Sequence, residues 1–220
     1  MNTDRIEECT KFYNGIILKL LLLRNLIDKH VASGTDNEPF EHVDIYNVQM
    51  HLLLFQMDLA IASKHFIIRS ELKETDEVNY FARAISVHLS DILNSKNGAR
   101  NKLSFILKKY FENQTYTNLV KELTSLTKIL KRISNEHLNE INQIRTTLFA
   151  HKLGNGIDQS LEMKKIDVMK LLFIGADVHD TLLEIGRLLC NFFGDFQTVK
   201  PNEKATSTHL NIWFATIEKD

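Results

Sequence analysis

Leu138-Asn139-Glu140-Ile141-Asn142-Gln143-Ile144-Arg145-Thr146-Thr147-Leu148-Phe149-Ala150-His151 decides how the chain is read. At about 100° per residue, Leu138, Ile141, Ile144 and Leu148 fall on one stripe of an amphipathic helix. Arg145 falls inside that stripe, and His151 sits near its edge, just before Gly154 and Gly156. A guanidinium is almost never fully buried without a partner. Arg145 therefore reaches an acidic partner, snorkels out of the core, or lines a pocket.

The same period of three and four recurs on both sides of this stretch, between breaks marked by Gly34, Pro39, Gly98, Gly194 and Pro201. It predicts helices over about 3–31, 42–71, 76–95, 100–112, 115–133, 135–152 and 166–193. Thr75-Asp76-Glu77 supplies a cap and dipole-favourable acids at one start, and Thr115 and Ser134 are weaker caps at two others. No alternating β-branched run or Asn-Gly hairpin turn signals a strand. The tail around Leu210 to Ile217 fits either a short helix or a strand. Helices of this length with short connections imply an all-α antiparallel bundle. The expected organisation is one helical domain over 1–195, followed by a loop and appendage over 196–220.

Composition narrows the class. The chain has 220 residues, 44% hydrophobic and 25% charged, with a net charge of −1, as expected of a globular domain. Cys9 and Cys190 form no CxxC pair, which suits a reducing cytoplasm. The apolar run from Ile16 to Leu23 is broken by Lys19 and closed by Arg24, so no membrane span is expected there.

Charge is unevenly spread. Residues 96–132 hold nine basic and two acidic side chains, a local excess of +7. The basic residues are Lys96, Arg100, Lys102, Lys108, Lys109, Lys121, Lys128, Lys131 and Arg132, interleaved with Phe105, Tyr110, Phe111 and Tyr116. Basic groups beside aromatics are what nucleic-acid binding uses, and Lys102, Lys108, Lys109, Lys128, Lys131 and Arg132 are the candidate RNA contacts. The plainer reading is a solvated basic face whose aromatics belong to the core.

Other chemistries find no pattern. The nine histidines include no HxxxH or HExxH pair, and Gly154-Asn155-Gly156 follows a helix rather than a strand. No metal site and no cofactor are expected. Arg145 and His151 remain. A histidine titrating near neutrality can move a proton off an RNA 2′-hydroxyl. An arginine fork can neutralise the charge that builds on the phosphorane. Six residues turn the helix by about 600°, so the two side chains diverge by roughly 120°. Distortion near Gly154, or a twofold partner presenting the same patch, would bring such groups together. The competing structural reading pairs Arg145 with an acid and leaves His151 at a helix C-terminus, where the dipole favours it.

Arg145, five residues, then His151, with Ala150 before the histidine, resembles the motif of the HEPN superfamily, the higher eukaryotes and prokaryotes nucleotide-binding helical domains. The nearest flavour is the abortive-infection type, and the resemblance spans most of residues 40–193. It implies a dimeric, metal-independent endoribonuclease or RNA-binding protein in a toxin–antitoxin or antiviral setting, with a cognate antitoxin protein as a further partner. Arg145 would bind the scissile phosphate, His151 would be the general base or acid, and Thr146 a polar helper. Thr146 stands where many active members carry Asn, Asp or His. A reading from another class is a non-catalytic helical module that docks a partner protein through an apolar helix face.

Overall fold

The computed structural model describes residues 3–32, 43–73, 75–94, 96–110, 117–149 and 167–192. These form six helices: α1 (Thr3–Ala32), α2 (Val43–Glu71), α3 (Thr75–Leu93), α4 (Ala99–Tyr110), α5 (Thr117–Phe149) and α6 (Val168–Phe192). The all-α expectation holds, with 95% of the described residues helical and no strand among them. The appendage expected over 196–220 lies outside the described residues.

Local chemistry explains the turns. At the end of α2, Leu72 N–H donates to Ile68 O and Lys73 N–H to Ser70 O, both at 3.1 Å. Lys73 takes a left-handed φ of 59° to close this turn, a helix-ending role usually given to glycine. Arg69 Nε meets Glu77 at 2.8 Å across the same turn and ties the end of α2 to the start of α3. Between α3 and α4, Asn94 Oδ1 accepts the backbone N–H groups of Lys96 and Asn97 at 2.8 and 3.4 Å. The turn then requires a glycine, because a Cβ at position 98 would lie 2.3 Å from Ile92 O and 2.4 Å from Asn94 O. Asp167 caps α6 by accepting the Lys170 N–H at 2.9 Å.

One predicted boundary is corrected. Separate helices over 115–133 and 135–152 were expected, with Ser134 as a cap, but α5 runs unbroken from Thr117 to Phe149. Ser134 is buried, and its Oγ donates to Leu93 O on α3 at 3.2 Å instead of capping its own helix. Leu123, Leu130, Ile133, Ile141 and Ile144 are buried on both sides of it and keep the apolar face continuous.

Helices α2, α3, α5 and α6 form an up-down-up-down bundle in which each packs on the next and α6 returns to α2. Side-chain pairs give the register. Ser134 meets Leu93 while Asn142 meets Ser90, so α5 runs antiparallel to α3. Lys170 Nζ donates to Glu140 at 2.6 Å and pairs the start of α6 with the C-terminal half of α5. The core between them holds Leu59, Phe66, Ile85, Leu89, Ile92, Leu130, Ile141, Leu182 and Ile185.

Helix α1 lies antiparallel along the outside of α2, with Lys64 bonded to Asn14 at 3.2 Å and Leu20 packed with Leu53. Short α4 closes one end of the bundle, burying Leu103 and Ile106 against α2, α3 and α5. Because α2 is covered from several sides, it is apolar around most of its girth. By length and composition, residues 47–71 are long and apolar enough to cross a membrane, yet half of that stretch is buried within the bundle.

Candidate functional site

Arg145 leaves α5 one turn beyond Ile141 and one residue after Ile144, both buried. Its side chain is 43% exposed, so it stands at the border of the apolar stripe rather than inside it. Nη1 donates to Ser90 Oγ at 3.0 Å and approaches Asp91 Oδ1 at 3.5 Å. Ser90 is buried at 3% exposure, and its hydroxyl donates to Asn142 Oδ1 at 2.7 Å while accepting from Arg145. Of the three outcomes open to Arg145, the acidic partner is realised. The guanidinium is thereby steered by a buried serine that is itself held by the helix carrying the arginine.

Asp91 is half exposed, and an ion pair this open stabilises the fold by no more than about 1 kcal/mol. Orientation is the larger consequence. Among the described residues only Nη1 is engaged, which leaves the outer edge of the fork toward solvent for an anion. Thr146 is exposed, and its Oγ1 donates to Asn142 O at 2.7 Å on its own helix, so its hydroxyl does not reach toward Arg145. His151 lies outside the described residues, as does the glycine pair that follows it.

The six proposed RNA contacts separate into two groups. Lys102, Lys108 and Lys109 are on α4, where Lys102 is half-buried and the other two are exposed. Lys128, Lys131 and Arg132 are exposed on α5. Arg132 lines a groove of about 200 Å³ together with Asp177, Asp180 and Glu184 of α6. The +7 excess along the chain is therefore offset in space at this position, because α6 brings carboxylates that the local sequence does not contain.

Lys102 has a different setting. It lines an open pocket of about 320 Å³ with Asn47, Val48 and His51 at the start of α2, Lys96 and Asn97 in the α3–α4 turn, and Asn101 and Phe105 of α4. Among the described residues no carboxylate lines it. Phe105 is 51% exposed, which places this aromatic on the surface and not in the core. Lys109 Nζ stands 5.6 Å from its ring centroid, a cation–π pair. Partial burial, and then the Lys102 charge, hold the His51 imidazole below its ordinary pKa and favour the neutral ring.

A third feature is buried. His179 of α6 is 2% exposed, and neither ring nitrogen has a hydrogen-bond partner among the described residues. It lines a crevice with Tyr13 and Ser63 that has no room for a water molecule. Burial pushes its pKa down to about 4, with Asp180 opposing weakly. Cys9 is also buried, and burial lifts its thiol to about 12, so it is no nucleophile near neutral pH. No group of three or more His, Cys, Asp or Glu side chains among the described residues is placed to hold a metal ion.

Sequence reasoning found Arg145 and Lys102 but missed Ser90, Asp91 and Asn142, which orient the first, and His51, Asn101 and Phe105, which surround the second. Asn142 was the nearest signal, a polar residue one turn before Arg145. No protein-family model, curated protein or solved structure matches the chain.

Proposed function

We propose that this chain is a HEPN-type helical protein that binds single-stranded RNA and cleaves it without a metal ion, in a cytoplasmic toxin–antitoxin or antiviral setting. The observation that carries the proposal is the half-exposed Arg145 guanidinium, held in one orientation by buried Ser90 and by Asp91. A donor fork fixed before the substrate arrives has little reorganisation left when phosphorane charge develops. His151 supplies the proton transfer, and the α4 lysines hold the RNA backbone. Thr146 is left out of the chemistry, since its hydroxyl is engaged by its own helix.

Two copies of the chain form the working unit, with their 145–151 segments facing each other, because Arg145 and His151 diverge on a single ideal helix. Light scattering at micromolar concentration is expected to give about twice the 25.5 kDa of one chain. A clean monomer would remove the composite site. A cognate antitoxin protein is the further partner of this proposal.

RNA binding on the α4 side should weaken steeply with salt, with a log–log slope of about −0.7 for each phosphate contact on a single strand. Replacing Lys102, Lys108 and Lys109 by alanine is expected to flatten that slope by about 2. The same change at Lys128, Lys131 and Arg132 should flatten it less, since Arg132 faces Asp177, Asp180 and Glu184. An unchanged slope in the α4 variant would make its lysines a solvated face.

The docking-module reading has an observation of its own. Leu18, Leu21 and Leu22 of α1 and Leu54 and Ile61 of α2 are 37–57% exposed, on helices that do not carry Arg145. Exposed apolar clusters of this kind mark partner surfaces. Purified protein that neither binds nor cleaves RNA would favour that function.

A further inference from the structure

We propose that the pocket between the start of α2 and the start of α4 binds one nucleotide unit, its phosphate at Lys96 and Lys102 and its base on Phe105. The proposal deepens the RNA-binding function and rests on it only for where the nucleotide comes from.

Size is the first argument. About 320 Å³ is at the lower end of small-ligand pockets and suits a single nucleotide. The lining is the second. Among its described lining residues the two ammonium groups of Lys96 and Lys102 meet no carboxylate, which favours an anion, while Asn47, Asn97 and Asn101 add amides that both donate and accept. His51, whose surroundings favour the neutral ring, offers in that form one donor and one acceptor in the same space. Such mixed groups match the edge of a nucleobase better than they match a bare anion.

Phe105 is the third argument. Its helical neighbours Leu103 and Ile106 are 1% and 0% exposed, whereas Phe105 is 51% exposed at the pocket rim. A half-exposed ring beside lysines is the stacking platform that single-stranded nucleic acid uses. The surroundings are also held in place. Asn94 Oδ1 fixes the N–H groups of Lys96 and Asn97, and Asn101 Nδ2 donates to Lys96 O. Gly98 lets this turn approach the end of α3 where no Cβ would fit. The start of α4 at Ala99 adds the partial positive charge of a helix N-terminus to the same side.

Calorimetric titration of the full chain with uridine and adenosine 5′-monophosphate, uridine, and inorganic phosphate tests the assignment. The monophosphates are expected to bind at least tenfold more tightly than uridine or phosphate alone. Phe105→Ala should weaken monophosphate binding by about tenfold, and Lys102→Ala should abolish the preference for monophosphate over uridine. Both side chains lie outside the core, and circular dichroism of the variants should match wild type. A short single-stranded RNA that binds more tightly than monophosphate, and loses the same factor in Phe105→Ala, identifies the strand as the source. RNA that binds no more tightly identifies a free nucleotide as the source.

No monophosphate binding at millimolar concentration, equal binding of inorganic phosphate, or an unaffected Phe105→Ala variant would overturn the pocket. RNA cleavage read on the same samples separates the two proposals. A protein that cleaves RNA and ignores monophosphates loses the pocket alone. One that binds monophosphates and leaves RNA intact keeps the pocket and loses the nuclease.

Discussion

Replacing His151 by alanine is expected to lower RNA cleavage by roughly 10²–10⁴-fold, the range for loss of a general acid–base group. In the proposed reaction the 2′-oxygen attacks the adjacent phosphorus as its proton passes to the base. The bond from phosphorus to the 5′-oxygen breaks, and that oxygen takes up a proton. The products are a 2′,3′-cyclic phosphate and a 5′-hydroxyl.

Arg145→Ala should lose about 10²–10³-fold, as expected when a preorganised donor to developing charge is removed. This variant is informative because the fold barely depends on the residue. The side chain is 43% exposed, and its ion pair with half-exposed Asp91 contributes at most about 1 kcal/mol. Ser90 keeps Asn142 as its partner when Arg145 is gone. Arg145→Lys should recover only part of the rate, since a point charge cannot replace the planar fork. Single-turnover rates on a labelled RNA in EDTA, with thermal melts of each variant, would check these expectations. Equal rates for wild type and His151→Ala would point to a contaminating nuclease.

Acid should destabilise the fold through His179. In the unfolded chain this histidine titrates near 6.5, and in the folded chain burial holds it to about 4. Between those values the unfolded state takes a proton that the folded state refuses, so stability falls as pH falls. The loss approaches 1.4 kcal/mol per pH unit and totals about 3 kcal/mol by pH 4. Well above pH 6.5 the group is neutral in both states and adds no slope.

Unfolding free energies from denaturant titrations at pH 7 and pH 5 should therefore differ by about 2 kcal/mol more in wild type than in His179→Leu. The leucine variant should be no less stable at pH 7, because it removes two ring nitrogens that have no partner among the described residues. Parallel pH dependence in the two proteins would mean that His179 is solvated or paired.

Residues whose role is set along one helix were legible in sequence. The three-and-four period located five of the six helices to within a few residues and split α5 in two, since each helix must bury one face. Gly98 marked a real turn for the same local reason. Ser134 misled because a serine between apolar turns looks like a cap, whereas it bonds to Leu93 O on another helix. Arg145 could be singled out, but Ser90 and Asp91 are over fifty residues away, and only the α3–α5 register brings them beside it. Charge failed in the same way at Arg132, whose acidic neighbours Asp177, Asp180 and Glu184 arrive from α6. His179 gave no signal, because its burial depends on α1 and α2 closing over α6.

The most direct measurement incubates purified wild-type protein with a panel of single-stranded RNAs in excess EDTA and analyses the product ends. A metal-independent nuclease built on Arg145 and His151 predicts cleavage that leaves 2′,3′-cyclic phosphate and 5′-hydroxyl ends. An intact panel, or 5′-phosphate ends, would contradict it.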